Sequence, residues 1–210
     1  MSRKSNKNKS NSKNLQRLFF AIDLEPNIKT KLMTFQDSIS SLLLYNSVYS
    51  SVSPSNFHIT LSFLGNVPEK KLEMITDYFK SPTINEFKCK TTNLLLLDPS
   101  NILALKVDDS VQKLANLKRK IEKQIQQITP LNIGKKEYTP HISLFRNVDS
   151  IQSLPEYFEY EVEFFIASFS LMASRNTSNG VSYETLAEWP LVTEYNQQSL
   201  KEQLIGVRNL

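Results

Sequence analysis

The sequence predicts a mixed helix-and-strand fold made of two similar halves, on three observations. Two short stretches, His58-Ile59-Thr60-Leu61 and His141-Ile142-Ser143-Leu144, repeat one pattern of His, apolar, hydroxyl and apolar residues 83 positions apart. Each closes a comparable order of elements, in which a strand and a helix precede the strand that carries the tetrad. After the second tetrad come two strand-like runs joined by Asn179-Gly180, a hairpin signal because both residues tolerate positive φ. The spacing is too long for a short-period repeat array and reads as a degenerate internal duplication. Two such halves facing each other place the two histidines across one cleft. At 210 residues, 40% of them apolar, the chain can bury a substantial core.

The elements follow in order. Residues 1–16, rich in Ser, Asn and Lys, cannot bury enough apolar surface to offset ordering and are expected to be disordered. Arg17 to Leu24 is dense in aromatic and branched residues and reads as a buried first strand. Pro26 and Asn27 open a helix whose Ile28, Leu32, Phe35 and Ile39 keep helical spacing. Tyr49 to Val52 reads as a short strand, and Pro54-Ser55-Asn56 turns the chain into the first tetrad strand, Phe57 to Leu64, which Gly65 is expected to end. A helix after Pro68 carries Leu72, Ile75 and Phe79 on one side. Phe87 to Leu97 and Ile102 to Val107 read as strands joined by the turn residues Asp98-Pro99-Ser100-Asn101. A long helix follows, with an apolar stripe of Leu114, Leu117, Ile121, Ile125 and Ile128. Its Lys113, Lys118, Arg119, Lys120 and Lys123 are the polar side that such a helix needs. Thr129-Pro130 ends it, and a loop with Lys135-Lys136 leads to the second tetrad strand. Glu161 to Ala173 is expected as one long strand and Val181 to Leu186 as another; residues 193–210 are polar.

In a strand, successive side chains point to opposite faces. His58 and Thr60 therefore share one face and Ile59, Leu61 and Phe63 the other. His141 and Ser143 likewise oppose Ile142, Leu144 and Arg146.

The formal charge of +4 is unevenly spread. Residues 1–17 hold six of the 25 basic residues and no acid, which leaves 19 bases against 21 acids in the remainder. The folded body is nearly neutral, so charge alone is a poor argument for nucleic-acid binding. The one cysteine, Cys89, lies in a strand-like run and reads as a buried thiol in reducing surroundings. No apolar run is long enough to span a membrane, and the basic N-terminus lacks a signal-peptide core, so a cytoplasmic protein is expected.

The two tetrads use both histidines of the chain. Imidazole titrates near 6.5, so one neutral and one protonated ring make a general base and a general acid. The hydroxyls of Thr60 and Ser143 can donate to oxygens that develop negative charge. That inventory fits a phosphodiester. Two histidines without clustered Cys, Asp or Glu fall short of a metal site. No G-x-S-x-G elbow is present, and with four glycines there is no phosphate-cradling glycine loop.

At these residues the chain resembles the 2H phosphoesterase superfamily, and within it the RNA 2′,3′-cyclic phosphodiesterases, also called 2′-5′ RNA ligases. Arg17 to Ile22 resembles the opening strand of the family and Asn56 to Gly65 its first motif, with Ser62 where arginine is frequent. Thr139 to Arg146 resembles the second motif, with Ser143 in place of the commoner threonine, and Tyr183 to Leu191 resembles the final strand. The resemblance implies a two-lobed, duplicated α+β fold with antiparallel sheets lining a central cleft and helices outside. It spans residues 17–192, leaving 1–16 as a basic tail and 193–210 as an extension.

It further implies hydrolysis of a terminal 2′,3′-cyclic phosphate on RNA to a 2′-phosphomonoester, without metal or cofactor, and 2′-5′ ligation as the reverse. By this analogy His58 is the proton donor and His141 the proton acceptor, while Thr60, Ser143 and Arg146 hold the phosphate. RNA is the expected partner of a monomer that has no membrane association. Two alternatives stay open: a phosphodiesterase for 2′-5′ oligonucleotides or a small cyclic nucleotide phosphate, and an inactive RNA-end-binding protein. The tetrads act on phosphate and do not separate the substrates, and their near symmetry does not decide which histidine is the acid.

Overall fold

A computed structural model describes residues 14–43, 49–134, 137–149, 158–178 and 180–193. Strand β1 (Leu15–Asp23) is followed by helix α1 (Pro26–Ser40), which starts with proline at its first turn, where a missing N–H costs nothing. After the two-residue β2 (Ser50–Ser51) and a 3-10 turn at Pro54–Asn56 comes β3 (His58–Pro68). Helix α2 (Glu69–Tyr78), strands β4 (Phe87–Leu97) and β5 (Ile102–Val107), and helix α3 (Lys113–Ile128) follow. The chain continues with β6 (His141–Arg146), β7 (Glu163–Ile166), β8 (Ser168–Thr177) and β9 (Gly180–Pro190).

The strands form an antiparallel α+β architecture in the order β7-β4-β5-β6-β3-β1-β8-β9, with β2 against β6. Strands β6 and β3, which carry the tetrads, are the central neighbours and meet at the antiparallel pair Ile142 and Ile59. The helix-facing side of the sheet holds the main core. Leu18, Phe20 and Ile22 of β1 and Ile59, Leu61, Ile142 and Leu144 of the tetrads pack there, with Leu32, Ile39, Leu117 and Ile121 from the helices. The opposite side carries a small cluster of Phe19, Ala21 and Met172, covered by Tyr183.

The two halves exchange helices. Phe35 of α1 stacks on Tyr160 at 4.0 Å, and the buried Gln36 donates to the carbonyls of Val52 and Leu144, at 3.0 and 2.6 Å. Glu122 of α3 accepts from Ser62 of β3 at 2.8 Å, and Gln124 bonds the Lys80 backbone. Asp109 satisfies two otherwise free N–H groups at the start of α3, those of Leu114 and Ala115.

Three expectations change. Gly65 does not end the first tetrad strand. Its φ of +73° lets it sit in a register shift opposite Leu18, and β3 runs on to Pro68. The run expected as one strand from Glu161 to Ala173 is two, broken at Ala167. β7 pairs with β4 whereas β8 pairs with β1 and β9, so the chain leaves one ladder for another although its apolar pattern continues. Strand β1 also begins at Leu15, which pairs with Pro68, inside the segment expected to be disordered. The hairpin closes at Thr177 and Gly180. Asn179, Lys135-Lys136, the bulk of the basic tail and residues 194–210 lie outside the described residues.

Candidate active site

The duplication is written into the strand register. Opposite His58, Ile59 and Thr60 on β1 stand Asp23, Ile22 and Ala21; opposite His141, Ile142 and Ser143 on β5 stand Lys106, Leu105 and Ala104. Every one of these partners is offset by the same 83 residues as the tetrads. A fully buried alanine lies beside each hydroxyl residue and leaves room around it. The antiparallel pair Ile59 and Ile142 acts as a local two-fold point. Carried one residue each way, that register sets His58 beside Ser143 and Thr60 beside His141.

A second device is shared. The ladder shifts between Phe20/Ala21 and between Leu103/Ala104, so Leu61 and Leu144, the fourth residues of the tetrads, are the extra residues of β-bulges. A bulge reverses the alternation beyond it. Phe63, expected on the core side with Ile59 and Leu61, is instead 59% exposed on the histidine side, against Phe19. Arg146, expected with Ile142 and Leu144, also emerges on the histidine side and donates to the Tyr183 hydroxyl at 3.2 Å.

Both imidazoles are held in the same way. Nδ1 of His58 bonds the Asn56 carbonyl and Nδ1 of His141 the Thr139 carbonyl, each at 2.7 Å. A carbonyl only accepts, so each Nδ1 donates, and each neutral ring keeps its lone pair on Nε2. Nε2 of His58 accepts from Thr60 at 2.9 Å. The surroundings then differ. The His58 ring lies against Phe19 and Tyr183, with centroids at 5.2 and 4.9 Å. The His58 imidazole is pushed down to about 4, chiefly by burial among these groups and also by His141 and Arg146, with the Asn56 carbonyl and Asp23 opposing. His141 is lowered as well, mainly by burial, with the Thr139 carbonyl opposing.

His141 and Thr60 open onto a cavity of about 380 Å³ that Phe63, Ile133 and Tyr138 also line. His58 and Tyr183 border a smaller recess of about 40 Å³ beside Asp23. Lys118, in the wall of the larger cavity, pairs with Glu122 at 2.7 Å, and Glu122 is the group that Ser62 contacts. No set of three His, Cys, Asp or Glu donors converges among the described residues. No helix among them is long and apolar enough to cross a membrane.

The fold sets His58, Thr60, His141 and Ser143, the tetrad residues singled out in the sequence, on adjacent strands and brings Arg146 to the same side. Sequence reading missed Asp23 and Lys106, which register alone places beside the histidines, and Tyr183, which comes from the last strand. Tyr183 carried only the general signal of belonging to the closing strand.

An antiparallel α+β fold with paired His-x-Thr/Ser-x tetrads on its two central strands is the build of a 2H phosphoesterase. Residues 22–101, which include the first tetrad, match the model of the family described as LigT like Phosphoesterase. An RNA 2′,3′-cyclic phosphodiesterase of Methanocaldococcus jannaschii is 30% identical over 184 residues, covering 82% of this chain and 99% of that protein. A second protein of that description, from Archaeoglobus fulgidus, is 38% identical over 72 residues, covering 34% of this chain and 39% of its own. E. coli LigT in its apo form shares the fold at a TM-score of 0.73 and 22% identity, over 85% of this chain and 98% of that one. The chain belongs to the RNA 2′,3′-cyclic phosphodiesterase family of LigT-like phosphoesterases, and is an enzyme of that class.

Proposed function

We propose that this enzyme hydrolyses the 2′,3′-cyclic phosphate at the end of an RNA to a 2′-phosphomonoester, by proton transfer through His58 and His141. The observation that carries this reading is the matched pair of imidazoles on adjacent strands, each with Nδ1 tied to a carbonyl, so that Nε2, which in His58 meets the Thr60 hydroxyl, is the nitrogen that exchanges the proton. In the reaction His141 takes a proton from water as its oxygen bonds to phosphorus. The bond from phosphorus to the 3′ oxygen breaks, and His58 delivers a proton to that oxygen. Thr60, Ser143 and Arg146 hold the non-bridging oxygens as charge builds on them. With an RNA 5′ hydroxyl in place of water, the same attack on phosphorus, the same break of the bond to the 3′ oxygen and the same two proton transfers give a 2′-5′ linkage, so these groups also support ligation.

Asp23, cross-strand from His58, favours the protonated form of that ring, which supports His58 as the proton donor. The arriving phosphodiester anion adds to this effect. All these groups come from one chain, which supports a monomer as the working unit, and the buried Cys89 fits reducing, cytoplasmic surroundings.

The test is turnover of a short RNA ending in a 2′,3′-cyclic phosphate, in EDTA, beside His58→Ala and His141→Ala. A 2′-phosphate product that both substitutions abolish is expected. Loss of activity in EDTA would overturn the metal-free mechanism. Binding without turnover would move the reading to another phosphodiester or to an RNA-end-binding protein.

A further inference from the structure

We propose that Tyr183 is a positioning residue that serves two partners at once: its ring fixes the His58 imidazole, and its hydroxyl holds the Arg146 guanidinium over the cleft. The inference rests on the phosphodiesterase reading above.

The two histidines share a backbone anchor but not a wall. A hydrogen bond at Nδ1 fixes one point of a ring and leaves it free to rock about that point. For His58 the remaining freedom is taken up by aromatic rings. Tyr183 meets it edge-on, with planes at 82° and centroids 4.9 Å apart, and Phe19 adds a tilted contact at 5.2 Å. Tyr183 and Phe19 brace each other in turn, at 5.0 Å and 76°. No ring contact of this kind is made by His141 among the described residues. The asymmetry comes from β9, whose Tyr183 pairs with Ser174 of β8, itself opposite Arg17 of β1. It has no counterpart in the duplicated part of the chain.

The hydroxyl has its own task. Arg146 stands on the exposed side beyond the Leu144 bulge, where a long side chain has many rotamers. Its Nη2 donates to the Tyr183 oxygen, so the guanidinium is already turned toward His58 before any anion arrives. A phenylalanine would preserve the ring wall and lose this tether. The charged groups facing His58 are Asp23 from β1, itself paired with Lys29 of α1 at 2.6 Å, and His141 and Arg146 from β6. Tyr183 thus joins His58 to Arg146.

Tyr183→Phe and Tyr183→Leu, made in the full chain, separate the two tasks. Three quantities are read: kcat, KM for the cyclic-phosphate RNA, and the titration of His58 followed by NMR with and without inorganic phosphate. Tyr183→Phe is expected to raise KM about three- to tenfold, as for one lost hydrogen bond to a charged group in a partly exposed site. Its kcat should fall less than that of Tyr183→Leu, and its His58 titration should move up by less, because a released Arg146 still leaves the ring buried against aromatic neighbours. Tyr183→Leu should also lower kcat about ten- to a hundredfold through misplacement of the donor, and move the His58 titration up toward 6.5 as water enters. Equal kcat losses in both variants, or a Leu variant with wild-type kcat and His58 titration, would overturn the ring's role. An unchanged KM in Tyr183→Phe would overturn the tether. A wild-type protein that turns over no cyclic phosphate would overturn the phosphodiesterase reading instead, while the titrations and phosphate affinities still decide what Tyr183 does.

Discussion

Raising the pH above about 6.5 is expected to lower kcat/KM roughly tenfold per unit, because the reaction needs one proton on the histidine pair and the free protein gives it up early. The perturbation is pH alone, and the size follows from the site. His58, buried and close to His141 and Arg146, sits at about 4, and His141 is also held below its ordinary value. At pH 7 a ring with a value of about 4 is protonated in about one molecule in a thousand. A bound phosphodiester changes this. One negative charge about 4 Å from the imidazole, at an effective dielectric constant of about 20, stabilises the protonated form by about 4 kcal/mol. At about 1.4 kcal/mol per unit this lifts the ring about three units, back to the neighbourhood of pH 7. The falling limb of kcat should therefore lie one or more units above that of kcat/KM. Initial rates on a short cyclic-phosphate RNA between pH 4.5 and 9, at saturating and at low substrate, give both curves. A kcat/KM that is flat or rises between pH 6 and 8 would refute the reasoning, since it would mean that no imidazolium is required.

Four further outcomes are expected. His58→Ala and His141→Ala should each cost about 10²- to 10⁴-fold in kcat with unchanged thermal unfolding; a milder loss in either would remove that ring from the proton transfers. Stability should fall as pH drops from about 6.5 toward 4. The depressed folded-state values mean that the unfolded chain binds more protons in that window; chemical denaturation at pH 7 and pH 5 measures it, and equal midpoints would contradict it. Gln36→Leu removes the side-chain amide that bonds Val52 and Leu144 under the second bulge and should cost about 1–3 kcal/mol; a melting temperature matching wild type would show that these carbonyls do not need it. Cys89 should react slowly with a thiol reagent until the protein unfolds, because burial, with Asp109 and Asp108 adding to it, pushes its thiol up to about 12. Rapid labelling of the native protein would rule that out.

What the sequence by itself determined is whatever a few consecutive residues contain. His58 with Thr60 and His141 with Ser143 were legible because alternation along a strand sets both groups on one side without reference to any neighbour. The limits of β4 and β5 and the buried stripe of α3 followed equally from local pattern and turn chemistry. Alternation fails where a residue is added to one strand and not to its partner. The bulges at Leu61 and Leu144 exist only relative to β1 and β5, so the sides taken by Phe63 and Arg146 could not be read from their own strands. The break at Ala167 is likewise a change of pairing partner inside a run whose strand-like pattern continues. The near symmetry of the tetrads is broken by contacts between residues far apart in the chain. Asp23 stands beside one histidine and Lys106 beside the other, and Tyr183 arrives from the final strand to wall in only His58. Register and packing alone create those differences between two motifs that are alike in sequence.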